Sequence, residues 1–197
     1  MTTFIPTLTL PRAVFDHPAS SILLPVSLGM AVGYLSSRSN QKQTYARVKN
    51  PPYSPPSFVF APVWTVLYGV MGYAAYRAVS AGLSLSATSE QSDLARQGAT
   101  LYTLQLALNL VWTPLFFVLR RPVEALVDIV ALLGLNAYLA YTWGQVDRIS
   151  GLLLLPYLGW LGFATYLCAG TGYLNGWDIS DKAIEGEGKG KGKAKEQ

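Results

Sequence analysis

PPYSPPSFVFAPVWTVLYGVMGYAAYRAV, residues 51–79, decides the fold: a proline-laden aromatic loop runs straight into an apolar stretch that keeps Pro62, Trp64 and Tyr68. From residue 57 to residue 79 the only charge is Arg77, and the length is near the roughly 20 residues that span a bilayer. A rigid aromatic loop joined to such a helix is suited to roofing and walling a cavity.

Four further apolar runs resemble this one, at about residues 20–37, 99–119, 123–143 and 151–174. The 197-residue chain is 51% hydrophobic and only 13% charged, where soluble domains carry roughly a quarter charged residues. The expectation is an all-α membrane protein, a five-transmembrane-helix bundle, rather than a soluble all-α protein with buried helices. Its parts read as an N-terminal leader over 1–19, a transmembrane domain over 20–176 and a disordered lysine-rich tail over 177–197. The leader has Arg12 as its one basic residue, carries Asp16, and lacks a small-x-small cleavage site, so the first apolar run reads as a retained helix and not a signal peptide. One cysteine, Cys168, and one histidine, His17, leave no internal disulfide and no His/Cys metal site within a chain.

Charge supports an odd number of spans. Eleven of the fifteen basic residues fall on one face of a five-span path: Arg38, Lys42, Arg47 and Lys49 after the first helix, Arg120 and Arg121 after the third, and five lysines in the tail. Arg12, Arg77, Arg96 and Arg148 fall on the other, so the positive-inside rule places the C-terminus in the cytosol. SLSATSEQSDLARQG (84–98) reads as a polar loop on the far side. No internal repeat of the inverted-transporter kind is visible.

Helical spacing groups side chains into faces. Phe60, Trp64, Tyr68, Met71 and Ala75 share one on the second helix; Tyr102, Gln105, Asn109, Trp112 and Phe116 share one on the third; Tyr157, Trp160, Ala164, Leu167 and Thr171 share one on the fifth. An aromatic stripe alone is ordinary core. Three of them with embedded amides favour a common pocket for a flat apolar ligand with a few polar atoms, because amides in hydrocarbon need partners. On the fourth helix Glu124 and Asp128 are placed on a face with Ala131, Leu135 and Tyr138; Glu124 can pair with Arg120 or Arg121 at the rim, whereas Asp128 lies deep enough to require a partner. That partner is the pocket, the proline-rich loop or a neighbouring helix. Pro62, Pro114 and Pro156 are expected to face other helices or the cavity. Gly29, Gly33, Gly159 and Gly162 offer close helix approach, within the chain or between copies.

YARVKNPPYSPPSFVFAPVWTVLYGVMGYAAY (45–76), LYTLQLALNLVWTPLFF (101–117), ALVD (125–128) and LLPYLGWLGFATYL (154–167) together resemble the TspO/MBR translocator protein family, the peripheral-type benzodiazepine receptors. The ordered occurrence of PP-x5-PVW-x3-Y, Q-x3-N-x2-W and PY-x2-W carries the resemblance, which runs from about Pro25 to Asn175. It implies a five-helix bundle, often a homodimer, whose pocket beneath the first connecting loop takes porphyrin or sterol-like ligands. Carried onto this chain, the ligand-binding residues are Tyr53 in the covering loop, Phe60, Ala61, Val63 and Trp64, Asn109 and Trp112, and Trp160, Ala164 and Leu167; helical spacing and membrane depth add Tyr68 and Asp128 to the expected ligand-binding set. Tyr53 and Phe58 stand where the family usually has tryptophan, and no Lys or Arg follows Tyr173 closely as in the sterol motif of animal members.

The resemblance therefore implies binding, with sensing, sequestration or transfer of a tetrapyrrole or sterol in a receptor-like site. A light-dependent porphyrin-degrading enzyme and a transporter are the alternatives. No cofactor is required, though a porphyrin or haem-type molecule is implied as ligand; the lipid bilayer is a partner and nucleic acid is not. The mitochondrial outer membrane is the expected location, with the endoplasmic reticulum as the alternative.

Overall fold

A computed structural model describes residues 4–37, 45 and 47–180. Arg38, Lys42 and the tail lysines, which carry much of the charge asymmetry, lie outside the described residues, as does the tail beyond residue 180.

Five long helices form an all-α bundle: α1 (Pro18–Ser37), α2 (Phe60–Gly82), α3 (Ser89–Thr113), α4 (Pro122–Val146) and α5 (Leu155–Leu174). A short helix, Arg148–Leu153, extends α5 backwards, and a turn of helix, Arg12–Phe15, precedes α1. Consecutive helices pack side by side, α1 also touches α3, and α5 meets α2 to close the bundle. Each spanning segment buries only 17–33% of its most apolar window inside the chain. Leu23, Met30, Leu35, Val66, Val127 and Tyr141 are more than half exposed, a pattern that lipid covers and water does not. The protein is a multi-pass membrane protein.

Proline sets the helix starts. Pro18, Pro122 and Pro156 stand at or next to the first helical residue, and Pro62 lies in the first turn of α2, where the missing N–H would have no partner in any case. This corrects the expectation for Pro62 and Pro156, which are exposed. The proline whose burial matters is Pro25, inside α1. It cannot donate to the Ser21 carbonyl. Gly72 of α2 is packed against that same carbonyl oxygen and Ile22 Cα, so closely that any side chain at 72 would overlap backbone. Pro114 opens a π-helical turn, Pro114–Val118, whose wide hydrogen bonds (Leu119 N–H to Pro114 O, 2.9 Å) end the third span.

Three other expectations are corrected. Residues 89–98 are helix, because Thr88 and Gln91 form a reciprocal capping box that starts α3 ten residues before its apolar run. The buried face of α4 is Ala125, Asp128, Leu132, Asn136 and Leu139; Ala131 and Tyr138 are exposed. α4 is apolar nearly all round, so a step of three in place of four after Asp128 selects the wrong stripe. Of the four glycines, Gly29 does sit against another helix, under the Tyr68 ring, whereas a methyl group added at Gly33, Gly159 or Gly162 would meet nothing within 4 Å.

Candidate functional site

Pro56 is extended (φ −57, ψ 146) and delivers a 3-10 turn, Ser57–Val59, that aims Phe60 and the face below it inward. Phe60 meets Trp160 edge-on at 5.9 Å between ring centroids, and Trp64 meets Trp160 at 6.5 Å, Tyr157 at 6.1 Å and Tyr68 at 5.5 Å. Edge-to-face pairs of this kind are favourable ring geometry. On α3, Trp112 stacks on Phe116 at 5.2 Å. The stripes of α2 and α5 therefore converge into one aromatic wall.

Beneath that wall lies a polar floor shared by four helices. Asn109 accepts from the Tyr68 hydroxyl and donates to the Tyr157 hydroxyl (2.6 Å); Tyr157 in turn donates to Gln105 Oε1 (3.3 Å). Gln105 reaches Met71 Sδ at 3.5 Å and accepts from Asn136 at 3.5 Å, while Asn136 also donates to the Leu132 carbonyl at 2.9 Å. A buried amide left alone would cost about 1–3 kcal/mol, so this chain of partners fixes the register of α2, α3, α4 and α5 against one another. Two donors are left over at the wall: the indole N–H groups of Trp112 and Trp160 are buried without a partner.

The loop over the site is clamped to α5. Asn175 accepts from the Lys49 N–H (3.0 Å) and donates to the Lys49 carbonyl (2.9 Å), and Tyr166 donates to the Pro52 carbonyl (3.0 Å). Within the loop, Asn50 donates to the Tyr45 carbonyl (2.9 Å), Ser54 to Pro51 (2.7 Å) and the Tyr45 hydroxyl to Pro55 (2.8 Å). Burial pushes the Tyr45 hydroxyl up from its ordinary value, against a smaller lowering by Ser54, which keeps it a neutral donor. Its ring lies edge-on to Phe60 at 5.6 Å, so loop and wall are in contact. Val48 is buried with Phe116, Ala125, Cys168 and Ile179.

Of the residues expected to bind ligand, Tyr68, Asn109, Asp128, Ala164 and Leu167 are buried, and Phe60, Val63, Trp64, Trp112 and Trp160 are half-buried. Ala61 is exposed, and Tyr53, at φ 63, is 91% exposed, so its ring stands outside the wall. Asp128 takes no hydrogen bond from the loop among the described residues: its Oδ2 is buried without a partner, on the side of α4 facing Cys168. Glu124 pairs with Arg121 at 2.8 Å, as its rim position suggested. Residues missed at the sequence level are Tyr45, Tyr166 and Asn136. Asn136 had a signal, an amide in the middle of an apolar span. The Tyr45 and Tyr166 contacts to loop carbonyls had none. Among the described residues no three His, Cys, Asp or Glu side chains gather as metal ligands.

Sequence comparison agrees with this geometry. The TspO/MBR family model matches residues 21–174. A translocator protein homolog of Schizosaccharomyces pombe is 38% identical over 156 residues, 79% of this chain and 90% of that protein. The human translocator protein is 38% identical over 150 residues (76% and 85%), and the tryptophan-rich protein TspO of Archaeoglobus fulgidus is 38% identical over 148 (75% and 90%). With one family model running through all five helices and relatives from two domains of life covering three quarters of its length, the chain belongs to the TspO/MBR family.

Proposed function

We propose that the chain is a membrane receptor or carrier that binds a flat, largely apolar ligand, a porphyrin-type tetrapyrrole or a sterol-like molecule, between the aromatic wall and the clamped loop. The observation that carries this reading is the pair of unpartnered indole donors, Trp160 in the aromatic wall and Trp112 on α3, beside a hydrogen-bonded polar floor. Apolar rings supply area and a few fixed donors supply orientation, which is the usual composition of a small-molecule site. Phe60, Val63, Trp64, Asn109, Trp112, Trp160, Ala164 and Leu167 form the proposed contact set, with Tyr45 and the loop as cover. Trp64 and Trp160 pack edge to face, so a ligand must part these rings.

Binding, and not catalysis, is the reading. The similar proteins from fission yeast and human are named as translocator proteins, in keeping with sensing, sequestration or transfer of the bound molecule. The membrane domain is taken as residues 20–176 with a cytosolic C-terminus, in the mitochondrial outer membrane, and a homodimer is the proposed assembly.

Titration of the full chain in detergent with protoporphyrin IX, and separately with cholesterol, tests the proposal through tryptophan fluorescence. Saturable quenching by at least one ligand is expected, weakened about tenfold in Trp64→Leu/Trp160→Leu. Quenching no greater than in a micelle containing free tryptophan would sink it.

A further inference from the structure

A second site lies at the other end of the bundle. Between the leader and the ends of α2 and α3 is a cavity of about 320 Å³, some 22 Å along α2 from Trp64 at 1.5 Å per residue. Its walls include Phe15, Val79, Leu83 and Ala99, and two cations, Arg12 and Arg96, line it as well. The roof is built, not draped: Ile5 N–H and the Thr9 hydroxyl bond Thr100 (3.3 and 2.7 Å), Leu10 N–H bonds Thr103 (3.0 Å), and Phe15 is buried edge-on to Tyr102 at 5.9 Å.

The two arginines are unequal. Arg12 leans on Asp16 at 3.4 Å with its side chain 72% exposed, a weak pairing that leaves most of its donors free. Arg96 has no ion-pair partner among the described residues, although Asp93 is one turn away on the same helix. By contrast Arg77, which belongs to the same end, is held by Asp147 at 3.0 Å. Cations beside an apolar cavity are suited to an anionic group whose attached chain fills that cavity. At about 320 Å³ the space is at the lower bound of small-molecule pockets, a size that suits an alkyl chain better than a tetrapyrrole macrocycle.

We infer that this cavity binds an amphiphile with an anionic head and an acyl tail, the head held by Arg96 and Arg12 and the tail lying between Phe15, Val79 and Leu83. Two sources share that chemistry: a free fatty acid and an anionic phospholipid of the surrounding bilayer. The site is independent of the ligand proposed for the aromatic wall.

The test uses the full chain in phosphatidylcholine nanodiscs, labelled in separate arms with a diazirine-bearing palmitate and a diazirine-bearing phosphatidylglycerol, followed by peptide mapping. Labelling within residues 4–15 and 79–103 by either probe is expected; which probe succeeds identifies the source. It should fall about tenfold in Arg12→Gln/Arg96→Gln, stay near the original level in Arg96→Lys, and fall in Leu83→Trp, which fills the cavity without touching charge. Thermal midpoints of the variants verify folding. Absence of labelling there by both probes, or equal labelling of the double glutamine variant and the unaltered chain, overturns the inference.

Discussion

Asn175 and Lys49, 126 positions apart, are joined by two hydrogen bonds in opposite senses, the Asn175 side chain closing on both backbone groups of Lys49. One amide thus fastens the loop above the aromatic wall to the last turn of α5. Asn175 also donates to the Thr171 carbonyl at 2.7 Å, so its orientation is fixed from the helix side.

Loss of this clamp should loosen the loop without unfolding the bundle. In Asn175→Ala, amide hydrogen exchange at residues 47–56 is expected to rise about tenfold, consistent with two exposed hydrogen bonds of about 0.5–1.5 kcal/mol each. Ligand dissociation measured by stopped flow should accelerate similarly. Unchanged exchange in that segment would show that Tyr166 and Val48 hold the loop unaided.

Gly72 tests the α1–α2 crossing. Gly72→Ala pushes a methyl into the Ser21 carbonyl, and backbone cannot step aside, so a loss of about 1–3 kcal/mol is expected in denaturant or thermal unfolding. Gly159→Ala, with open space around it, should change stability by less than about 0.5 kcal/mol or raise it slightly.

At the floor of the site, Asn109→Leu strands the buried Tyr68 hydroxyl, while Tyr157 keeps its bond to Gln105. A buried, unpaired hydroxyl costs about 1–3 kcal/mol. Adding Tyr68→Phe should restore part of that loss, since apolar groups of similar shape then replace both sides of the bond. A double-mutant cycle on Tm would record the recovery.

Acid should weaken the opposite end of the bundle. Burial alone would raise the Asp147 carboxyl, but hydrogen bonds from Arg77 and Ser150, with the Arg77 charge, outweigh it and hold it below the ordinary carboxylate range. A lowered folded-state value means the contribution is fully present above the unfolded value, near pH 3.9, and is lost as pH falls through the folded one. Thermal scans from pH 7 to pH 3 should therefore show a decline at the acid end that is reduced in Asp147→Asn, which is less stable at pH 7.

The sequence revealed the spans because lipid demands long apolar runs, and it revealed three faces because aromatic and amide residues at steps of three and four are sparse enough to align. α4 was opaque for the converse reason: with apolar residues on every side, Asp128 did not say whether Ala131 or Leu132 accompanies it inward. The start of α3 was readable in Thr88-x-x-Gln91, but polarity masked it. Contacts such as Asn175 with Lys49, or Thr100 with the leader, join residues about a hundred positions apart and leave no periodic trace. Tyr53 illustrates a different gap, since alignment places a residue in a loop without saying which way a left-handed backbone turns its ring.

A structure of the full chain with protoporphyrin IX bound would locate the ligand itself. The macrocycle is expected between Trp64 and Trp160, beneath residues 47–56, with a polar substituent in reach of the Trp112 or Trp160 indole N–H. A macrocycle on the lipid-facing surface, or in the cavity beneath the leader with Trp64 and Trp160 still edge to face, would contradict it.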